Sequence, residues 1–570
     1  MKKIKIFVAI LALMAVFTSC QKQLIEDPKA ILVPQNLTSP AGLQLALDAS
    51  YAGSRNLWGG QDYFFMTTLG TDEFARGGDA NAAAANYTFT PTESRVNTIW
   101  RNCYIFINSC NGVIDNAPNV DLVPTVRAQM IAEAKFLRAN YYFNLVQSFG
   151  DVTLLKNFET VGSTSASRAP MADVYAFMIQ DLKDAIPVLP ASPKISATVL
   201  PGKATAAAAK HLLAKIYLTR AGSSAKQASD YQDAYTIANE LITTASTIGL
   251  SLQADFARVF AEGNEDNSEV LFSVQHTSNL AYNGPGAPSG ATGDNMLNHL
   301  FIGYYERKPG MVRDVFYGRP FNRAVPTNWL LNTAFKERVN DSRYNKSFQT
   351  VWIANNPAAS GYPLWPNPLP AGAPANAIVG QAKFKAGDTA IYMPGVDVTD
   401  AKIAATRYLV IPPRKYDNTL APTLTKYFDS KRTTPDVVSI RPVIVYRLAE
   451  TYLIAAEAAF MSGQTPRAVT LINTVRERAA ANQANKTAMD IQASDVSLDF
   501  ILEERSRELC GENMRWFDLV RTGKLIDRVK LYNTEAGTAI QAKHILRPIP
   551  QSQIDAVSTG APYPQNPGWQ

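Results

Sequence analysis

Four histidines, His211, His276, His299 and His544, are scattered along the chain with no His-Glu-x-x-His pair and no Cys/His ligand spacing, so nothing in the sequence asks for zinc. Neither a Gly-x-Ser-x-Gly elbow nor a phosphate loop is present. Gly284-Pro285-Gly286-Ala287-Pro288-Ser289-Gly290 is glycine-rich and follows a strand pattern, but its prolines and the lack of a following helix make it a loop and not a dinucleotide site. Glu503-Glu504-Arg505-Ser506-Arg507-Glu508 offers the paired carboxylates of a glycosidase. On a helix, however, adjacent residues face apart and residues four apart meet, so Glu504 and Glu508 read as ion-pair partners of the arginines between them. Asn264-Glu265-Asp266-Asn267 carries oxygen ligands of the kind calcium takes, without the spacing of a dedicated loop, and no cofactor or metal is expected.

What remains is aromatic surface. Tyr282, Phe301, Tyr304, Tyr305, Tyr317, Trp329, Trp352 and Trp365 fall beside Asn, Arg and Gln in a stretch with little helical period. Flat apolar rings next to fixed polar groups suit a ligand with one apolar face and many hydroxyls, which describes a sugar. For any one of these rings taken singly a core role is favoured; as a cluster on loops the binding reading gains.

The elements that must position them are helical. Met130, Ala134, Leu137, Tyr141, Leu145 and Phe149 recur at three to four residues, and Gly150 ends that helix. Lys210 to Arg220 and Tyr231 to Thr243 form a hairpin turned at Gly222-Ser223-Ser224. Val270-Leu271-Phe272-Ser273-Val274 reads as a short buried strand. Helical pattern is expected again from 441, with Leu448, Tyr452, Ala455 and Ala459 in one stripe, a turn at Gly463, and a last pair from Leu498 ending near Gly523. The small-aromatic-small spacing of Ala449 to Ala468 resembles tetratricopeptide units. The expected fold class is mostly α: a tetratricopeptide-like helical hairpin scaffold with a large, loop-rich, irregular insertion carrying short strands.

Composition bounds the function. With 570 residues, 55 basic against 49 acidic side chains and 46% hydrophobic residues, the chain can bury a large core, and its +6 is too dilute for a nucleic-acid footprint. Met1-Lys2-Lys3-Ile4-Lys5, the apolar run Ile6 to Phe17 and Thr18-Ser19-Cys20 resemble a bacterial lipoprotein signal, with lipidation expected at Cys20. Residues 1–19 are thus expected to be a signal peptide, 20–40 a lipid-anchored tether and 41–570 a single domain, divided into an N-terminal helical part (41–275), a loop-rich ligand-facing part (276–440) and a C-terminal helical part (441–570). Cys103 and Cys110 lie seven apart on a helix, ~10 Å at its rise, too far for a bridge. With Cys510 they are expected to be small buried hydrophobes.

Several motifs, in order along the chain, resemble the SusD/RagB family of outer-membrane lipoproteins. They are Glu133-Ala134-Lys135-Phe136-Leu137-Arg138-Ala139 with Phe149-Gly150-Asp151-Val152; Tyr446-Arg447-Leu448-Ala449-Glu450-Thr451-Tyr452; the hallmark Glu503 to Gly523 with Gly511-Glu512-Asn513-Met514-Arg515-Trp516-Phe517-Asp518-Leu519; and the tail Arg547-Pro548-Ile549-Pro550 with Gln565-Asn566-Pro567-Gly568-Trp569. Asn513 departs from the pattern, standing where a second glycine is common. The resemblance implies a SusD-like fold and a cell-surface, lipid-anchored outer-membrane protein without catalysis. It also implies oligosaccharide capture and hand-over to a SusC-like TonB-dependent transporter; import of peptides is the alternative, and a surface glycosidase a more distant one. Arg515, Trp516, Asp518 and Trp100 are read as packing residues. Loop position and ring-plus-polar chemistry nominate Phe74, Arg76, Asn81, Tyr282, Tyr304, Tyr305, Arg319 and Trp329 as ligand-binding residues.

Overall fold

The computed structural model describes residues 34–570 apart from 195–198, 278 and 280–294, so Cys20 and Tyr282 lie outside the described residues. Helices begin where the sequence can satisfy their first amides: Ser39 Oγ accepts from Gly42 N, Thr205 Oγ1 from Ala208 N and Ser497 Oγ from Phe500 N. The helices Ser94–Asn116, Pro124–Phe149, Met171–Ala185, Ala206–Ala221 and Asp230–Thr244 pack each against the next. The row does not stop there. Asp230–Thr244 packs on Leu448–Met461, which packs on Thr465–Arg478, so the helical array closes across the residues between. Close approach at one turn is specific: a Cβ on Gly222 would meet the carbonyl oxygen of Arg521 at 1.9 Å.

Nine short strands occur among the described residues: β1 (Phe74–Arg76), β2 (Val270–Val274), β3 (Ala324–Pro326), β4 (Phe348–Gln349), β5 (Val351–Ile353), β6 (Thr389–Tyr392), β7 (Leu409–Val410), β8 (Thr423–Leu424) and β9 (Val443–Arg447). β2 is buried throughout and pairs antiparallel with β9, clamping the chain where it leaves the helical row and where it returns. The segment expected to resume helix at 441 therefore first makes a strand: Val443-Ile444-Val445-Tyr446 is β-branched and aromatic, and its partner β2 is already in place.

Between the clamps lies a second hydrophobic core, built from Ile302, Tyr305, Met311, Tyr317, Trp352, Phe384, Ile391, Met393 and Ile411 among others. An irregular segment of this length must bury apolar area of its own to offset the entropy of ordering it. That requirement consumes several of the rings nominated from sequence. Cys103, Cys110 and Cys510 are buried and unbridged, and burial pushes the Cys110 and Cys510 thiols up to about 12.

Glu504 and Glu508 are ion-paired, but mostly not with neighbours on their own helix. Glu504 meets Arg343 (2.8 Å), Arg476 (2.9 Å) and Arg507 (2.8 Å). Glu508 meets Arg343 (3.1 Å), Arg447 (2.6 Å) and Arg478. Burial alone would raise both carboxyls, yet the surrounding guanidiniums win, holding Glu508 at about 2 and Glu504 well below its ordinary range. The acidic stretch at 264–267 is likewise spent on ion pairs, Glu265 with Arg441 and Asp266 with Lys194.

Candidate functional site

β1 and β3 form a two-stranded antiparallel sheet in the register Phe74↔Pro326, Ala75↔Val325 and Arg76↔Ala324. Together with Tyr416–Asn418 and the end of the helix Leu525–Tyr532 they enclose a cleft of about 620 Å³. Trp329 and Tyr532 stack in it at 5.1 Å between ring centroids and 28° between planes. Trp329 is 4% exposed, so the ring that a ligand meets is the half-buried Tyr532, beside Leu531 at 67% exposure. Around this floor stand Asn328, Asn332, Thr333, Asn418 and Thr534, all exposed. The Asn328, Asn332 and Asn418 amides make no side-chain hydrogen bond to the described residues, so each can donate to and accept from a ligand.

The cleft wall is held from beneath. Asp72, fully buried just before β1, accepts from Arg515 at 2.7 Å through both carboxylate oxygens and from Arg528 Nε at 2.6 Å. Burial would raise the Asp72 carboxyl, but the two guanidiniums hold it below its ordinary range. Arg528 in turn lies under the Trp329 ring, 4.5 Å from its centroid. Asn533 Nδ2 donates to the carbonyl oxygens of Thr71 (2.8 Å) and Phe74 (3.3 Å), tying the end of the last long helix to the same strand. Neighbouring Glu73 is also buried, and desolvation pushes its carboxyl up to about 7, opposed by Arg515 at 3.5 Å and reinforced by Asp72.

Of the nominated residues, Arg76 and Trp329 line this one cleft. Phe74 does not: it is fully buried at the start of β1, edge-on to Phe301 at 5.0 Å, because the strand's alternation turns it into the core. Tyr305 is also fully buried, its hydroxyl donating to Gly318 O at 2.7 Å, so it belongs to the second core. Tyr304 does not line the cleft; its amide donates to Thr419 O and Arg307 covers its ring at 3.5 Å. Asn81 caps the short helix Ala82–Ala85, accepting from Ala84 N. Arg319 lies outside the cleft beside Asp436 and Phe321.

Sequence reasoning missed Asn328, Asn332, Tyr416, Asn418, Tyr532 and Glu535. The spacing of Asn328 and Asn332 on either side of Trp329 was the available signal, as was the polar run Tyr532-Asn533-Thr534-Glu535 after an amphipathic helix. A groove of about 680 Å³ beside Trp100 and Tyr104 is a weaker candidate. Several of its polar groups are already engaged, Trp100 Nε1 with Gln553, Tyr104 with Thr153 O and Asn108 with Glu159.

Two family models match this chain: one described as the SusD family over residues 383–569, the other as "Starch-binding associating with outer membrane" over residues 43–218. The chain belongs to the SusD/RagB family. SusD-like protein P2 of Formosa agariphila is 27% identical over 540 residues, covering 91% of both chains. Among solved structures, a laminarin binding SusD-like protein superposes with a TM-score of 0.66 at 24% identity, covering 93% of this chain and 100% of that one. A SusD homolog from Bacteroides thetaiotaomicron gives 0.70 at 21% identity, covering 93% and 97%. These likenesses show the mostly helical SusD-like fold. The family hallmark is buried here, with Arg505 on Asp518 (2.7 Å) and Arg515 on Asp72, so it supports the cleft without lining it. At the departure from the SusD pattern, Asn513 adopts φ +59°, the left-handed conformation glycine would take most easily, and its Oδ1 accepts from Thr68.

Proposed function

We propose that this protein captures an oligosaccharide in the cleft between β1, β3 and the Tyr532 end of the Leu525–Tyr532 helix, without catalysis, and passes it to a SusC-like TonB-dependent transporter in the outer membrane. The observation that carries the reading is the stacked Trp329–Tyr532 floor surrounded by three unengaged amides. A sugar ring lays its apolar face on such a floor while amides take its hydroxyls in either sense. The family description of starch binding with the outer membrane, and a fold neighbour named for laminarin binding, support the ligand class. Asp417, which also lines the cleft, is not set up to act as a proton donor. Partial burial would raise its carboxyl, but bonds from the Thr419 hydroxyl and the amides of Thr419 and Leu420 hold it ionised below its ordinary range, without a proton to donate.

The lipid anchor at Cys20 and the cell-surface position belong to the same reading and rest on the signal-like N-terminus. Cys20→Ala is expected to move the protein from the membrane fraction to the soluble one; continued detergent-phase partitioning rejects the anchor. Calorimetric titration of the purified chain with a neutral oligosaccharide panel tests the cleft. Tyr532→Ala and Asn332→Ala should each weaken binding by about 1 kcal/mol or more. Affinity unchanged in both variants rejects the site, and binding confined to peptides rejects the ligand class.

A further inference from the structure

The charged side chains lining the cleft are Arg76, Asp417 and Glu535. Arg76 Nε donates to Glu535 Oε1 at 2.7 Å, and the same oxygen accepts from Asn86 Nδ2 at 2.9 Å. Both partners stay in reach of a ligand, with side chains 26% and 43% exposed. Asp417 is exposed, and only its Oδ1 is engaged, taking the Thr419 hydroxyl at 2.6 Å and the amides of Thr419 and Leu420 at 2.8 and 3.0 Å. The lining therefore holds one guanidinium against two carboxylates, and that guanidinium is already neutralised by Glu535. Two nearby cations lie outside the lining. Arg528 beneath Trp329 is paired with Asp72, and Lys308, close enough to act on Asp417, does not line the cleft. Every other polar group on the lining is an amide, a hydroxyl, the Trp329 indole N–H or a backbone group, and none of these carries a charge.

An anionic group entering this space meets like charge, and no unpaired Arg or Lys is among the described residues that line it, whereas sites that take carboxylates or sulfates present unpaired Arg or Lys in their lining. Resting on the oligosaccharide-capture reading, we infer that the cleft selects uncharged glycans against those bearing uronate or sulfate groups, and that Glu535 sets this selectivity by neutralising Arg76. Glu535 thus acts on specificity through Arg76. Replacing it by glutamine frees a guanidinium at the mouth of the site.

The purified full-length chain, in detergent, is titrated on an array of neutral gluco-, manno-, xylo- and galacto-oligosaccharides beside oligouronates and sulfated galactans. Neutral members should bind, with acidic ones at least tenfold weaker, and the neutral affinities should move less than twofold between 50 and 500 mM salt. In Glu535→Gln the acidic-to-neutral affinity ratio should rise at least tenfold, and Asp417→Asn should raise it in the same sense, each variant first shown to keep its thermal midpoint. An acidic glycan that binds the unaltered protein as tightly as any neutral one, and loses affinity in Tyr532→Ala, overturns the selectivity while capture stands. An unchanged ratio in both charge variants overturns it too. Binding to no glycan overturns capture and selectivity together.

Discussion

Tyr305 and Trp329 have the same credentials in sequence, an aromatic ring in the loop-rich segment with polar neighbours, and the fold uses them differently. The Tyr305 hydroxyl reaches Gly318 O, so the whole side chain can be buried at no polar cost and becomes core. Trp329 packs under Tyr532 and over Arg528, handing its partner's ring to the cleft. Glu73 shows the opposite situation, a buried carboxyl whose neighbour Asp72 takes most of the available guanidinium contact. The folded protein keeps the Glu73 proton up to about pH 7, while an unfolded chain releases it near 4.5. Its contribution to stability is therefore whole below pH 4.5 and is lost as pH rises to 7. Glu73→Gln should accordingly gain on the unaltered protein across that window, by up to about 3 kcal/mol above pH 7. Denaturant unfolding of both proteins from pH 4.5 to 8 measures the difference, and a difference independent of pH rejects the assignment.

At the scale of elements, three residues of β1 could not hold a cleft wall alone, since an isolated two-stranded ribbon is marginal in water. The wall stands because Asp72 is gripped by Arg515 and Arg528 and because Asn533 bonds to the backbone on both sides of it. Asp72→Asn keeps the shape but removes the closest counter-charge of two buried guanidiniums, leaving Arg515 only Glu73 at 3.5 Å and Arg528 only the exposed Asp499 at 3.2 Å. A loss of about 3–5 kcal/mol in unfolding free energy is expected. Glycan affinity should fall with it, because Arg528 also supports Trp329. A variant with unaltered stability and weakened binding would instead place Asp72 in contact with ligand.

For the whole molecule, the junction of Glu504 and Glu508 gathers arginines from four regions. Arg343 comes from the inserted segment, Arg447 from β9, Arg476 and Arg478 from the returning helix, and Arg507 from the hallmark helix itself. It ties the inserted segment, through Arg343, to the helical row close to where β2 and β9 clamp the chain. Glu508→Gln leaves three buried guanidiniums under-compensated and should cost about 3–5 kcal/mol, read as a shifted denaturant midpoint. Two separated unfolding transitions in that variant would show that the junction is what makes the inserted segment and the helical row unfold together; a midpoint within error of the unaltered protein rejects its structural role.

Periodicity and the ordered motifs were sufficient to read the helices Pro124–Phe149, Ala206–Ala221 and Asp230–Thr244, the buried strand Val270–Val274 and the family, because each is written in residues close together in the chain. Two of the eight nominated ligand residues, Arg76 and Trp329, meet in the cleft, and one of its walls was found through them. The remainder depended on contacts between distant segments. Which rings fill the second core, which arginines reach Glu508, and that Tyr532 stacks on Trp329 are matters of non-local packing, since a side chain's burial is set by what arrives on its other side. Sequence by itself determined the scaffold and the chemistry on offer; only the tertiary structure decided which of those groups remain free to meet a ligand.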